Sequence, residues 1–508
     1  MAMKVIRRFC MIAVWMILCM SACHCQTLTE VITSSRSITG ITALPDGTIL
    51  VASRGGVLCR KPDGAWRKYT IIDGLPDNEI LSVSQQNGRV MAQTVRGSAR
   101  LEGDRWTSDP ALQPEAHLLS GQISSARWKG TDCVSTAEGL RIRMGDTWKS
   151  IPMPQSKGTH ISALLDKGKE LWAALYGDGI FAWNGTGWHP VKLALPVRAR
   201  EIIAMAFIKE RLWLGTNADG IWEHDGRGWK HHVIPDEPFD HNCQDIKLFK
   251  GALYASTLDN GLMVHSKGRW RRVRSPQISS NTPRQMIVLN DRFYLRNSLG
   301  IVDGFDGKTW TNSMLGALPR KQCSVFAADG SALYAGQWGG WSELAGNVWT
   351  HHLSAPELQG FQVTAILPDG DRLWVGTQGL GLAQVNRADG SMKLHNEFLG
   401  MPDDTIKCLA RSGDTVYAGT FSQGLAWMDD ASNRWGSAPE LSTSQIACLE
   451  PDRSDGIYIG ARTGLWHRTS KKQMICVMRD IEVQALALDG NKLWVGTRTG
   501  LLRFVAGK

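Results

Sequence analysis

Along most of the chain, short apolar runs alternate with polar, glycine-containing turns. After residue 22 no stretch carries the three-to-four spacing of an amphipathic helix. One stretch displays the unit. Val363-Thr364-Ala365-Ile366-Leu367 is apolar, Pro368-Asp369-Gly370-Asp371 is a turn, and Leu373-Trp374-Val375-Gly376-Thr377 is apolar again. A glycine-containing loop then leads to Gly381-Leu382-Ala383-Gln384-Val385. Asp-Gly and Asn-Gly between short β-rich runs are hairpin signals. A fourth run, carrying a Trp, completes four predicted strands per unit, so the class is all-β.

The unit repeats. The phrase Arg211-Leu212-Trp213-Leu214-Gly215-Thr216 returns as Arg372-Leu373-Trp374-Val375-Gly376-Thr377 and as Lys492-Leu493-Trp494-Val495-Gly496-Thr497. Its central position can be followed through Leu50, Met91, Cys133, Trp172, Trp213, Tyr254, Tyr294, Tyr334, Trp374, Tyr417, Tyr458 and Trp494, in steps of 36 to 43 residues. A second series, Trp66, Trp106, Trp148, Trp188, Trp229, Trp270, Trp310, Trp349 and Trp435, keeps the same register. Twelve units of this length predict a β-propeller of about twelve four-stranded blades. Twelve exceeds the four to eight blades of a common single ring, so two tandem propellers are expected. A six-plus-six division places them at 38–275 and 284–508, with Ser275–Pro283 as the most linker-like stretch. The last unit lacks its fourth strand. Residues 23–37, containing Leu28-Thr29-Glu30-Val31-Ile32-Thr33, are expected to supply it and close the last blade.

Composition changes this picture in three places. There are 21 Trp against 7 Tyr, and the two series make most of that excess architectural. The net charge is +9; Lys4, Arg7 and Arg8 lie in the first 22 residues, which hold no acid, so the remainder carries a mild +6. With no concentrated basic patch, nucleic acid is not an expected partner. Residues 1–22 have a basic start, an apolar run from Phe9 to Met20, and small residues before Cys23. That pattern predicts a secretory signal peptide. Met20-Ser21-Ala22-Cys23 is similar to a bacterial lipobox, which would lipidate Cys23; ordinary cleavage near residues 22–26 is the alternative. The expected location is the periplasm or the cell surface, with membrane contact only through that lipid. The 11 Cys are scattered without a CxxC and read as small buried hydrophobes.

Two further segments carry a family resemblance. They are Tyr69-Thr70-Ile71-Ile72-Asp73-Gly74-Leu75-Pro76-Asp77-Asn78-Glu79-Ile80 and Phe398-Leu399-Gly400-Met401-Pro402-Asp403-Asp404-Thr405-Ile406. Joined to the Leu-Trp-x-Gly-Thr and Gly-Leu phrases, they resemble two-component regulator propeller repeats over roughly residues 38–504. That family forms the periplasmic sensor half of hybrid histidine kinases. The chain ends at Lys508 without room for a stalk, membrane helix or kinase. The resemblance therefore implies a recognition module that feeds a separate membrane signalling protein, and not a kinase.

In a propeller, the loops after each second strand and after each fourth strand gather on one face, where ligands bind. The candidates there are Tyr176, Asp178, Asp219, Trp338, Trp341, Phe421, Arg462 and Arg498. A ring on a Gly-flanked loop stacks on a sugar or a peptide side chain, and Arg grips a carboxylate. Trp338 lies outside both Trp series and is the strongest candidate. His231-His232 and His351-His352 suggest a metal, but neighbours on a strand face opposite ways, so no metal or other cofactor is expected. No catalytic constellation stands out either. The expected function is non-catalytic binding of an oligosaccharide, peptide or protein; the alternative is a propeller hydrolase or lyase acting on polysaccharide.

Overall fold

A computed structural model describes residues 26–506, apart from 87, 110–121, 197–198, 313–322, 331, 347, 354–355 and 430–433. Each repeat forms a four-stranded antiparallel sheet, twelve in all. Sheets 1 to 11 follow chain order and span 38–69, 80–108, 122–152, 161–190, 202–232, 243–273, 283–311, 325–352, 363–395, 406–437 and 446–479. Sheet 12 joins 483–506 to the N-terminal strand Gln26–Ile32, whose Val31 lies opposite Leu502. That strand covers what would be an open edge.

The Leu-Trp-x-Gly-Thr phrase explains how a sheet is built and how it meets the next. In most repeats the Trp position is a large core residue, with Trp213, Trp374, Tyr334 and Tyr417 almost fully buried. The Gly lets the neighbouring inner strand approach. A Cβ on Gly376 would lie 2.7 Å from Ile406 Cγ2, the first residue of sheet 10. The Thr hydroxyl folds the following loop. Thr420 Oγ1 donates to Gly424 O at 2.8 Å and accepts from the Gln423 N–H at 3.1 Å; Thr377 repeats this with Gly381 and Leu380.

A second device stitches sheet to sheet. Most inner strands carry a bulge one residue in, and where that residue is Ser or Thr its hydroxyl donates to the first carbonyl of the next inner strand. Thr39 reaches Ile80 O at 2.6 Å, Ser162 reaches Ile202 O at 2.5 Å, and Thr364 reaches Ile406 O at 2.5 Å.

The same approach of strand to glycine fixes which sheets are neighbours. A Cβ on Gly215, in sheet 5, would meet Ile38 Cγ2 of sheet 1 at 2.3 Å. One on Gly496, in sheet 12, would meet Cys243 Sγ of sheet 6 at 2.7 Å. The inner strands of sheets 5 and 1 pack together, as do those of sheets 12 and 6. Ile38, Val51, Ala204 and Trp213 share one core cluster; Cys243, Ile246, Ala485 and Trp494 share another. Sheets 6 to 12 thus form a closed ring of seven, and sheets 1 to 5 form a set running 2, 1, 5, 4, 3 in space.

This corrects the expected division at 275–284. Sheet 6 packs with the later sheets, and the stretch 275–283 only joins it to sheet 7. Ile278 is fully buried there, and Ser279 donates from its N–H and hydroxyl to Asp303 at 2.8 and 2.5 Å. The chain passes between the sets at 33–37 and again at 233–242. The two passages are tied together: Glu237 accepts from the Ser35 N–H at 3.0 Å, the Ser35 hydroxyl at 2.5 Å and Lys68 Nζ at 2.5 Å.

Candidate functional site

All sheets share one strand order, so the loops after their second strands lie at corresponding ends. In the ring of seven, backbone bonds pin these loops at their roots. The N–H groups of Phe421 and Arg462 each donate at 3.0 Å to the residue preceding their own sheet, Thr405 and Gln445. Gly339 N–H donates at 2.8 Å to Phe361, beside the next sheet. Ser422 is held again by Asp403, which accepts its N–H at 2.8 Å and its hydroxyl at 2.9 Å. The loop tips are therefore fixed supports for outward side chains.

What they carry is unusually apolar. Trp338 is 52% exposed and Phe421 53%, with Leu258 exposed at the corresponding position of sheet 6 and Leu299 exposed one residue further along the loop of sheet 7. Lys407 Nζ stands 6.0 Å from the Phe421 ring, and Arg462 is exposed on sheet 11. Apolar tips on sheets 6, 7, 8 and 10, interrupted by the exposed Gln378 on sheet 9, thus lead to a cationic tip on sheet 11.

Arg498 continues the series on sheet 12 but reaches across to the other set, donating to Glu79 Oε2 at 2.9 Å. Arg54 Nε stands 3.7 Å from the same carboxylate. These loops border a cleft of about 460 Å³ between the two sets, walled by 71–79 and 95–96 on one side and by 478–482 and 497–499 on the other. Sequence reasoning missed Asp77, Glu79, Arg96 and Glu482 as cleft residues. The first two lie in a segment read only for family resemblance, and nothing in a repeat says which distant loop it will face.

The remaining candidates divide. Trp341 is a correction: it is 5% exposed, belongs to the core between sheets 8 and 9, and stacks on His352 at 4.9 Å. It follows Gly340 as Leu382 follows Gly381, and that position is buried in every repeat but the seventh, where Ile301 is half-buried. Tyr176, Asp178 and Asp219 lie on sheets 4 and 5, in the other set, and do not join Trp338. Tyr176 donates to Glu201 at 2.9 Å, accepts from Asn217 at 3.0 Å and stacks on His160 at 5.3 Å. Burial, then the Glu201 bond, raise its pKa. Asp178 accepts from the Lys157 N–H at 3.2 Å. Asp219 faces Arg36 at 3.9 Å and His231 at 3.8 Å, at the seam between sheets 5 and 1.

Other chemistry is quiet. His231 stacks on Trp222 at 4.3 Å, whereas His232 turns to Glu223 at 2.7 Å and to Trp213. Among the described residues no group of three ligating side chains converges. Burial pushes the thiols of Cys133 up to about 11 and of Cys323 and Cys408 to about 12, away from thiolate chemistry. Cys23 and the leader lie outside the described residues. Among the described residues no helix is long and apolar enough to cross a membrane.

Fold and loops define a β-propeller protein with a ring of exposed loop tips and a cleft between two sheet sets. Among solved structures it is similar to PorZ, an essential bacterial surface component of the type-IX secretion system of Porphyromonas gingivalis, with a TM-score of 0.64 and 12% identity over 94% of this chain and 86% of that one. It is also similar to the extracellular domain assigned to the hybrid two component system BT3049 from B. thetaiotaomicron, with a TM-score of 0.48 and 16% identity over 92% of this chain and 68% of that one. The Niastella koreensis GH74 enzyme gives a TM-score of 0.49 and 14% identity over 94% of this chain and 84% of that one. No family model matches the chain, and no curated protein sequence matches it.

Proposed function

We propose that the chain is an exported, non-catalytic recognition propeller that binds an oligosaccharide, peptide or protein at the loop tips of its ring of seven. The observation that carries this is the pair Trp338 and Phe421. Each leaves about half its area to solvent on a loop held at its root by backbone bonds. A large ring kept in water on a rigid support is costly unless something covers it in use. Export rests on the leader pattern of residues 1–22, and lipidation of Cys23 would hold the protein at a membrane surface. That PorZ is a bacterial surface component agrees with a surface role. A separate membrane protein would carry any signal onward.

The test is a thermal-shift screen against oligosaccharides and peptides, with mass spectrometry of each mixture afterwards. Binding to the folded state must raise the melting temperature. A shift with the ligand intact, abolished in Trp338→Ala, is the expected result. Cleaved ligand would replace this reading with a hydrolase or lyase.

A further inference from the structure

We infer that the cleft between the two sets is a second binding site, selective for short peptides with a free amino terminus. Its volume of about 460 Å³ falls within the usual range for ligand sites, roughly 300–1,000 Å³, and ligand sites favour domain junctions.

The two walls differ in electrostatics. On one, Arg96 Nε pairs with Asp77 Oδ2 at 2.8 Å and Glu79 is taken by Arg498, which reaches over from the opposite wall at 2.9 Å, so the carboxylates there are already satisfied. On the other, Arg479, Asp480 and Glu482 line the cleft and form no ion pair among the described residues. This open wall is held in place. Asp480 takes a left-handed backbone conformation at φ 59° and donates its N–H to Thr463 O at 2.9 Å, while the Arg479 guanidinium stands 6.0 Å from the Trp466 ring. Leu75, Ile481 and Leu502 supply apolar lining between the walls.

Ligand chemistry follows from what this arrangement accepts. Four carboxylates against three guanidinium groups disfavour a phosphate or other polyanion. No described lining residue is aromatic, so a sugar would find no stacking surface. A simple polyamine would use the carboxylates and leave Arg479 and the apolar lining idle. A peptide fits all three: its ammonium group on Asp480 and Glu482, a carboxylate on Arg479, and a side chain on the apolar lining.

The experiment uses calorimetric titration of the purified protein with the tripeptide Leu-Ala-Leu, unblocked and N-acetylated. The unblocked peptide should bind, and acetylation should weaken binding by at least about tenfold, the scale of one charge-assisted contact. The double variant Asp480→Asn/Glu482→Gln should lose a similar factor; Asn tolerates the left-handed backbone at 480. Val95→Arg, at an exposed lining position, should block the cleft independently while leaving the unliganded melting temperature in place. Trp338→Ala should leave tripeptide affinity unchanged, which separates this site from the loop-tip site. Absence of tripeptide binding, equal affinity for the acetylated form, or binding that survives the cleft variants would overturn the proposal.

Discussion

At the residue scale, two rings three positions apart have opposite fates. Trp338 projects from a loop; Trp341 lies in a strand and fills the core between sheets 8 and 9. Trp341→Ala should cost about 3–5 kcal/mol in chemical denaturation, whereas Trp338→Ala should cost under about 1 kcal/mol and affect only binding. Glycines divide in the same way. Gly215→Val would drive a side chain into Ile38 at the seam of sheets 5 and 1 and should cost at least about 1–3 kcal/mol. Gly187, with open space around it, should accept Ala within about 0.5 kcal/mol. His395 gives a pH signature. Burial lowers its pKa to about 4, and its Nδ1 accepts from Trp435 Nε1 at 3.1 Å, so the folded chain keeps the neutral ring. The unfolded chain takes up the proton below the ordinary 6.5. The His395 contribution is therefore complete above about pH 6.5. It is lost at up to about 1.4 kcal/mol per pH unit as pH falls toward 4. Denaturant titrations from pH 7 to 4.5 should show this extra slope in the native sequence and not in His395→Gln.

At the scale of the element, the strand Gln26–Ile32 is the one piece placed far from its chain neighbours. It pairs with Gly500–Ala506, and Leu28 and Val31 pack on the core of sheets 11 and 12. Deleting 26–32 would bare both the sheet edge and that core. The expected outcome is faster amide exchange over 483–506, with sheets 3 and 4 unchanged, and a growing tendency to associate. This placement was legible because the last repeat visibly lacks a strand and the first segment has one to spare. The repeat and its four strands were legible for the same reason: each is a local pattern restated twelve times. Loop-tip candidates were half legible. Phe421 and Trp338 follow the strand-ending residues Thr420 and Gln337, but Trp341 was misread because its loop was judged by glycine content and not by register against Leu382. The cleft was not legible at all, since Glu79 and Arg498 are brought together only where the two sets meet.

At the scale of the whole molecule, ring closure is what repeated sequence leaves open. Every Gly-Thr phrase offers the same seat to a neighbouring inner strand, and nothing local says whether Gly215 receives Cys243 or Ile38. The structure seats Ile38 there and gives Cys243 to Gly496. From Gln26 the chain therefore runs first in the ring of seven, crosses to build five sheets, and returns. The two crossings meet at Glu237, which anchors Lys68 Nζ at 2.5 Å where both side chains are largely buried. Glu237→Ala would leave that ammonium group only the Thr33 carbonyl, at 2.6 Å, and no counter-charge, so it should cost about 3 kcal/mol and loosen the two sets together. The topology also makes a stronger prediction. Residues 243–506 hold six complete sheets and three strands of a seventh, and the only missing part is the strand 26–32. Joined after residue 506 by a flexible linker, that strand can pair as it does in the native chain, antiparallel to Gly500–Ala506. The resulting chain should fold alone, with a single cooperative thermal transition and a monomeric elution volume. A chain beginning at 284 and carrying the same added strand lacks sheet 6, and leaves the faces of sheets 7 and 12 that pack on it uncovered. It should aggregate or unfold at a much lower temperature. If the shorter chain proved the more stable, the seam between sheets 6 and 12 would not be the closure of the ring.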